Sequence, residues 1–304
     1  MQLSFNLETL RNHRWMVWLA LLAITLLFSA AAGAETFEEV RKKAEQNDVA
    51  AQISLASMYY TGQGVAQNYA EAVEWFRKAA EQGDAPAQGA LGDIYNSGRG
   101  IEQNYAEAVR WYRKAAEQGD AAGQYSLGLM YYNSRGVEQN YTEAVKWLSM
   151  AAEQGLAMAQ NNLGFMYESG QGAVQNYAEA LKWYRKAAEQ GNANSQYNLG
   201  LKYFRGHGVA QNDAEALKWL RKAAEQRHAL AQCLLGGMYG TGRAGVQDFS
   251  TSYMWVFLCV SRLDQVSPTY QESVNMLASF ATLLTEHQIA EAQRLAQEWE
   301  KQHQ

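Results

Sequence analysis

The chain has 304 residues, and its 26 basic and 31 acidic side chains give a formal net charge of −5. This mildly acidic balance offers no basic surface for nucleic acid, and a hydrophobic share of 48% is too high for a disordered chain. Two cysteines cannot build a disulfide framework or a four-thiolate zinc site. The chain has 25 glycines but only 2 prolines, so most of its turns must be formed by glycine and asparagine.

The first 34 residues are typical of an export signal. Arg11 and Arg14 precede an uncharged run over residues 15–34, which ends in Ala-Gly-Ala, a small-residue cleavage motif. An uncleaved membrane anchor is the alternative, because a run of 20 residues is long enough to span a bilayer. Cleavage is favoured because residues 29–34 are small and weakly apolar. In either case we expect a periplasmic or secreted protein, which touches the membrane only through the N-terminal segment if that segment is retained.

A 36-residue repeat follows the N-terminal segment. Tryptophan recurs at this step, and so do a glutamine, a leucine and a tyrosine. The six tryptophans are Trp75, Trp111, Trp147, Trp183, Trp219 and Trp255. A fixed period of this length indicates a repeat architecture in which each unit packs on its neighbours.

The first helix of each unit is predicted from the spacing of Ala51, Leu55 and Tyr59, which places them on one face. We expect this helix to end at Gly62. At the place of Ala56 the later repeats carry Gly92, Gly128, Gly164, Gly200 and Gly236. Because glycine costs about 1 kcal/mol against alanine inside a helix, its recurrence predicts the close approach of a neighbouring helix.

The second helix of each unit is predicted to begin at an asparagine that is followed three residues later by glutamate, as in Asn68 and Glu71. It is predicted to end at Gly83, where a left-handed conformation favours glycine. Arg77 and Glu81 are four residues apart, which predicts an ion pair that recurs in three later repeats.

The recurring residues closely resemble those of the Sel1-like repeat family. They read Ala-x-x-x-Leu-Gly-x-x-Tyr, then Gly-x-Gly-Val, then Ala-x-x-Trp-x-x-Lys-Ala-Ala, over about residues 37–263. The resemblance implies an all-α fold, a right-handed α/α solenoid of six helix-pair repeats that binds other proteins. The predicted organisation is a signal peptide at 1–34, an N-terminal capping half-repeat at 35–48, six repeats at 49–263 and C-terminal capping helices at 264–304.

The two C-terminal capping helices have their own start motifs. Ser267-Pro268 begins one helix, expected at about 268–284, and the capping box from Thr285 to Gln288 begins the other, expected at about 286–301. Such caps are expected because a solenoid would otherwise expose apolar ends.

Catalytic and metal-binding motifs are lacking in the sequence. No two of the five histidines are spaced as ligands on one helix face, and no phosphate loop or Gly-x-Ser-x-Gly elbow occurs. We therefore expect no catalytic residue, no metal and no cofactor. Cys259 takes the place of a core alanine, which favours a small buried apolar residue, and a disulfide with Cys233 is the alternative in an oxidising compartment.

The side of the first helix opposite Leu55 varies between repeats. It carries the places of Ile53, Ser57 and Tyr60 and their equivalents, and we call it the first-helix surface. Because aromatic side chains are favoured anchors of interfaces, we predict a concave groove that binds a protein or peptide. The predicted groove residues are Tyr60, Tyr125, Leu129, Tyr132, Phe165, Tyr197, Leu201 and Phe204. The alternative is that neighbouring first helices pack together and hide these side chains.

The sequence thus favours a non-catalytic adaptor of the cell envelope. One alternative is a hydrolase acting on cell-wall material or β-lactams. The resemblance suggests it, because some cysteine-rich members of the Sel1-like repeat family are reported to bind or hydrolyse β-lactams. Those relatives carry paired cysteines in each repeat, which this chain lacks. The other alternative is a purely structural spacer. Neither nucleic acid nor a cofactor is expected as a partner.

Overall fold

The computed structural model describes residues 36–243, 245 and 247–303. This part of the chain contains fifteen α-helices and no strand, which confirms the predicted all-α fold. The predicted signal peptide lies outside the described residues. None of the helices that the structure describes is sufficiently long and apolar to cross a bilayer.

The helices alternate between the first and second helix of successive repeats. They are α1 (Phe37–Glu45), α2 (Val49–Thr61), α3 (Tyr69–Glu81), α4 (Ala85–Ser97), α5 (Tyr105–Glu117), α6 (Ala121–Asn133), α7 (Tyr141–Glu153), α8 (Ala157–Ser169), α9 (Tyr177–Glu189), α10 (Ala193–Arg205), α11 (Asp213–Glu225), α12 (Ala229–Gly240), α13 (Phe249–Val260), α14 (Pro268–Ala281) and α15 (Glu286–Gln302). Two compact units are present, one ending at Leu156 and the other beginning at Ala157. The first unit holds α1–α7, and the second holds α8–α15.

Polar side chains cap both helices of the repeat. Asn68 Oδ1 accepts from the backbone N–H of Glu71 at 3.2 Å, which confirms the predicted start of the second helix. The first helix has a cap that the helical spacing did not predict: Asp84 Oδ1 accepts from Ala87 N–H at 2.8 Å. Each such cap satisfies a backbone donor that has no partner within the helix. Gly62 ends α2 in the left-handed region at φ 77°, as predicted.

Helix-interior glycines allow the two helices of a repeat to pack closely. A Cβ added at Gly92 would lie 2.6 Å from a ring carbon of Tyr112, and one at Gly200 would lie 2.7 Å from Leu220 Cγ. Both distances are too short for a real Cβ, so larger residues at these places would push the helices apart. The predicted close approach is therefore confirmed.

Within each unit, the recurring glutamine links a repeat to the preceding one. Gln88 is 4% exposed, and its Nε2 donates to the backbone carbonyl of Ala80 at 3.1 Å. Its Oε1 accepts from Gln118 Nε2 at 2.7 Å. In the second unit, Gln196 and Gln226 form the same contact at 2.7 Å. The exposed amide of Gln118 thus satisfies the buried amide of Gln88, and the bond from Gln88 to the Ala80 carbonyl sets the register between repeats.

The predicted ion pair between Arg77 and Glu81 is wrong. Arg77 Nη2 donates to the hydroxyl of Tyr95 on the next first helix at 3.0 Å, and Arg77 Nη1 lies 3.5 Å from Glu74 Oε1. Arg113 makes the equivalent contact with a tyrosine at 2.8 Å. The tyrosine hydroxyl is held in place by the packed helix that carries it, whereas an exposed carboxylate pairs only weakly.

A disulfide joins the two helices of the sixth repeat. Cys233 on α12 and Cys259 on α13 are bonded, with their Cα atoms 5.3 Å apart. Cys259 is fully buried as expected, but the expectation of a plain apolar residue is wrong, because its place on α13 faces the place of Cys233 on α12. Both C-terminal helices, α14 and α15, pack against α13.

Candidate protein-binding surface of the first helices

The predicted groove residues are more buried than the sequence suggested. In the first unit, Tyr60, Tyr125 and Leu129 are buried, and Tyr132 is half-buried. Tyr125 has no exposed surface at all. A partner could not reach its ring without displacing the helices around it.

The second unit offers more aromatic surface. Leu201 is buried at 8% exposure, while Phe165, Tyr197 and Phe204 are half-buried. Tyr197 stacks on the imidazole of His228, with their ring centroids 4.8 Å apart. These half-buried rings are the part of the prediction that can contact a partner, and their binding role stays a prediction.

Burial of the first-helix surface has a specific cause. Each first helix contacts its own second helix, and α4 also contacts α6, the next first helix in the first unit. Arg99 in the loop after α4 reaches back to the preceding repeat, where its Nη1 donates to the Tyr60 hydroxyl at 2.8 Å. Neighbouring first helices and their loops therefore cover part of the surface that helical periodicity alone leaves open.

A buried carboxyl group lies on the first-helix surface of the first unit. The Tyr112 hydroxyl donates to Asp93 Oδ1 at 2.6 Å. Burial raises the pKa of Asp93 to about 7, and the Tyr112 hydrogen bond only partly opposes this rise. Asp120, the N-terminal cap of α6, raises the pKa of Asp93 further through charge repulsion. Asp93 stands at the variable place of Ser57, and nothing in the sequence pattern marks it as a site residue.

A small cavity lies next to this carboxyl group. It is lined by Asn96, Tyr112, Ser126, Leu129, Met130, Asn133 and Arg135, which come from α4, α5, α6 and the loop after α6. Asn96 Oδ1 is buried and accepts no hydrogen bond from any residue that the structure describes. An acceptor left in this way is unfavourable until a donor fills it.

In the second unit the equivalent tyrosine contacts a different carboxylate, Glu168, which stands at the place of Asn96 and is paired internally. Glu168 Oε2 accepts from the Tyr184 hydroxyl at 2.9 Å, and Glu168 Oε1 accepts from the ammonium of Lys202. Lys202 is only 5% exposed. Ion pairing with Glu168 compensates the desolvation of this buried lysine.

Arg243 covers the half-buried ring of Phe204 in the second unit. The guanidinium of Arg243 lies 3.8 Å above the ring of Phe204, and its Nε donates to Asp213 Oδ2 at 2.9 Å. Residues 36–243, 245 and 247–303 contain no group of three or more His, Cys, Asp or Glu side chains that could hold an ion.

The fold and this surface define a helical-repeat protein of the kind that acts as a protein-interaction scaffold. The Sel1 repeat family model matches residues 49–84, 85–120, 121–156, 157–192, 193–228 and 229–256, so the chain belongs to the Sel1 repeat family. The six repeats, the solenoid class and the terminal helices predicted from the sequence are confirmed. Sel1 repeat proteins generally bind protein partners and are typically non-catalytic.

Two solved structures illustrate the similarity. A Sel1 repeat protein from Oxalobacter formigenes is 31% identical with a TM-score of 0.67, over 82% of this chain and 99% of that one. The protein c5321, a protective antigen present in uropathogenic Escherichia coli strains, displays an SLR fold and is 29% identical with a TM-score of 0.50, over 88% of this chain and 72% of that one. No curated protein matches the chain.

Proposed function

We propose that this protein is a non-catalytic adaptor of the cell envelope, which binds a protein or an extended peptide on its first-helix surface. The observation that carries the proposal is variation on a constant scaffold. The glutamine contacts and the helix-pair glycines repeat with little change, whereas the place of Ser57 holds Asp93 and Leu129 in the next two repeats. Positions that differ between repeats while the core stays the same are the ones available for recognition.

The half-buried aromatic side chains are the anchors that we assign to this surface. In the first unit this is Tyr132, whose ring lies 5.3 Å from that of Tyr141. In the second unit they are Phe165 and Phe204. Partly covered rings of this kind are held in position before binding and lose little freedom when a partner covers them, which favours their use as anchors.

An envelope location is part of the same proposal. It is supported by the export-type N-terminal sequence and by the disulfide between Cys233 and Cys259. Disulfides persist in oxidising compartments such as the periplasm and are rare in the cytosol.

Affinity capture from envelope extract, read by mass spectrometry, tests the function. We expect the full chain to retain a reproducible partner that is lost with Tyr132→Ser or Phe204→Ser at an unchanged melting temperature. The matched control is Val174→Ser, because Val174 is 88% exposed in a loop that does not belong to the first-helix surface. A large loss of stability in both aromatic variants would show that these rings are only structural. Turnover of a nitrocefin-type substrate would instead support the hydrolase.

A further inference from the structure

The capping residues of the first helices differ in charge between the two units. In the first unit α2, α4 and α6 each begin at an aspartate, which offsets the positive N-terminal end of its helix. In the second unit Leu156 precedes α8, Asn192 caps α10 and His228 caps α12. The start of each first helix therefore carries a negative charge in the first unit and a neutral side chain in the second.

His228 presents a hydrogen-bond donor at the start of α12. Its Nδ1 accepts from Ala231 N–H at 3.1 Å, so the neutral imidazole carries its proton on Nε2. Burial lowers the pKa of His228 to about 4, which keeps the ring neutral at pH 7. Nε2 forms no hydrogen bond with any residue that the structure describes, and it is open to solvent. This donor is therefore available to a partner.

Two further donors lie around the same ring pair. Tyr197 stacks on the imidazole of His228, with their ring centroids 4.8 Å apart. Burial raises the pKa of Tyr197, and the charge of Arg205, which is exposed at the end of α10, partly opposes this rise. Within the described part of the chain, neither the Tyr197 hydroxyl nor the Arg205 guanidinium forms a hydrogen bond or an ion pair.

Two acids that lie against α10 are already paired. Glu168 accepts from the Tyr184 hydroxyl and pairs with Lys202. Asp213 pairs with Arg243. Neither acid can pair with a further cation without weakening an existing contact. The second unit therefore offers three donors around Tyr197, one of them charged, that a partner can satisfy.

We propose that Tyr197, Arg205 and His228 form a binding site for a carboxylate of the bound protein or peptide. This group is an aspartate or glutamate side chain or a free C-terminus, since both present the same pair of oxygens. The inference rests on the proposed function and names the partner chemistry that the second unit selects. A carboxylate is favoured over a neutral acceptor because its two oxygens accept from several donors and neutralise Arg205. The N-terminal end of α12, which has no aspartate cap, favours negative charge as well.

Affinity selection of synthetic random peptides on the full chain tests the inference. One pool of peptides has free C-termini and a second pool has amidated C-termini, and mass spectrometry reads the bound peptides of each. We expect the bound peptides to share an acidic side chain, or to come from the free-terminus pool alone. These two results distinguish a side-chain carboxylate from a C-terminal one.

Three variants locate the carboxylate. Tyr197→Phe and His228→Asn should each bind a selected peptide at least tenfold more weakly than wild type, because each loses a donor to a charged group. Arg205→Gln should bind it about fivefold more weakly, with less dependence on salt. Asparagine at 228 keeps the helix cap, as it does in α10. The matched control is Lys301→Gln, which removes one positive charge from the exposed side of α15 and should leave binding unchanged.

A charge-deleted peptide separates this contact from other effects. Replacing the shared acid by its amide, or the C-terminal acid by an amide, should weaken binding to wild type at least tenfold and binding to Tyr197→Phe much less. Circular dichroism checks the fold of each variant. Should His228→Asn fail to fold, Tyr197→Phe and Arg205→Gln still decide the question, because neither changes a cap.

The possible failures are distinguishable. If peptides bind without a shared carboxylate, or if Tyr197→Phe binds the selected peptide as tightly as wild type, the inference is wrong and the proposed function stands. If selection recovers no specific peptide, the proposed function fails together with the inference.

Discussion

Replacing Asp93 by asparagine should stabilise the protein most at pH 8, by a smaller amount at pH 5 and hardly at all below pH 3.8. The pKa of this carboxyl group rises from 3.8 to about 7 on folding, mainly because burial disfavours its charged form. For an acid with a raised pKa, the folded state binds more protons than the unfolded state. The stability present below pH 3.8 is therefore lost as the pH rises towards 7.

The magnitude follows from the size of the shift. Roughly three pKa units at about 1.4 kcal/mol each give an upper limit of about 4 kcal/mol by which ionised Asp93 destabilises the fold at pH 8. Asparagine removes this charge, and its Oδ1 can still accept from the Tyr112 hydroxyl. Urea unfolding of wild type and Asp93→Asn at both pH values, followed by tryptophan fluorescence, measures the difference.

The matched control is Asp84→Asn, which changes an aspartate that caps α4 into another good capping residue. We expect its stability relative to wild type to be similar at pH 5 and pH 8. The reasoning about Asp93 is refuted if Asp93→Asn gains the same stability at both pH values, or if it is less stable than wild type at pH 8.

Three further predictions concern the other repeats. Burial lowers the pKa of His228 to about 4, so the neutral imidazole stabilises the fold fully above pH 6.5, and this stability is lost as the pH falls towards 4. In urea unfolding, His228→Asn should therefore reduce the loss of stability between pH 6.5 and pH 4 by up to about 3 kcal/mol. Reduction of the Cys233–Cys259 disulfide should lower the free energy of unfolding by about 2–4 kcal/mol, seen as a lower melting temperature with dithiothreitol. A melting temperature unchanged by dithiothreitol would contradict this. Leu156 precedes α8 without a side-chain acceptor, so Leu156→Asp should be about 1 kcal/mol more stable than Leu156→Ala in thermal unfolding.

Local features of the fold could be predicted because their chemistry is contained within a few residues. The cap at Asn68 and the left-handed end at Gly62 depend only on backbone groups nearby in sequence. The contact at Gly92 could be predicted because a costly residue that recurs needs a reason. In each case the period showed that the feature was general.

The binding surface could be predicted only in part, because helical periodicity identifies a face but not what covers it. Tyr125 lies opposite the core-facing leucine and is nevertheless fully buried, and α6, which carries it, also packs on α4, the preceding first helix. The partner of Arg77 was mispredicted for a related reason. Its contact with Tyr95 depends on how neighbouring repeats are stacked, which no spacing within one helix shows.

Breaks in the glutamine contacts show how the array ends. Arg262 occupies the place that Gln226 has one repeat earlier, and its Nη1 donates to Gln232 Oε1 at 3.1 Å, as the amide would. A guanidinium has further donors, and Arg262 Nη2 uses one of them to bind Glu300 on α15. Arg227 pairs with the same carboxylate at 3.2 Å. A single change from amide to guanidinium thus keeps the contact within the repeat and adds one that holds the C-terminal helix on the last repeat. Residues that depart from the period are therefore as informative about this protein as those that keep it.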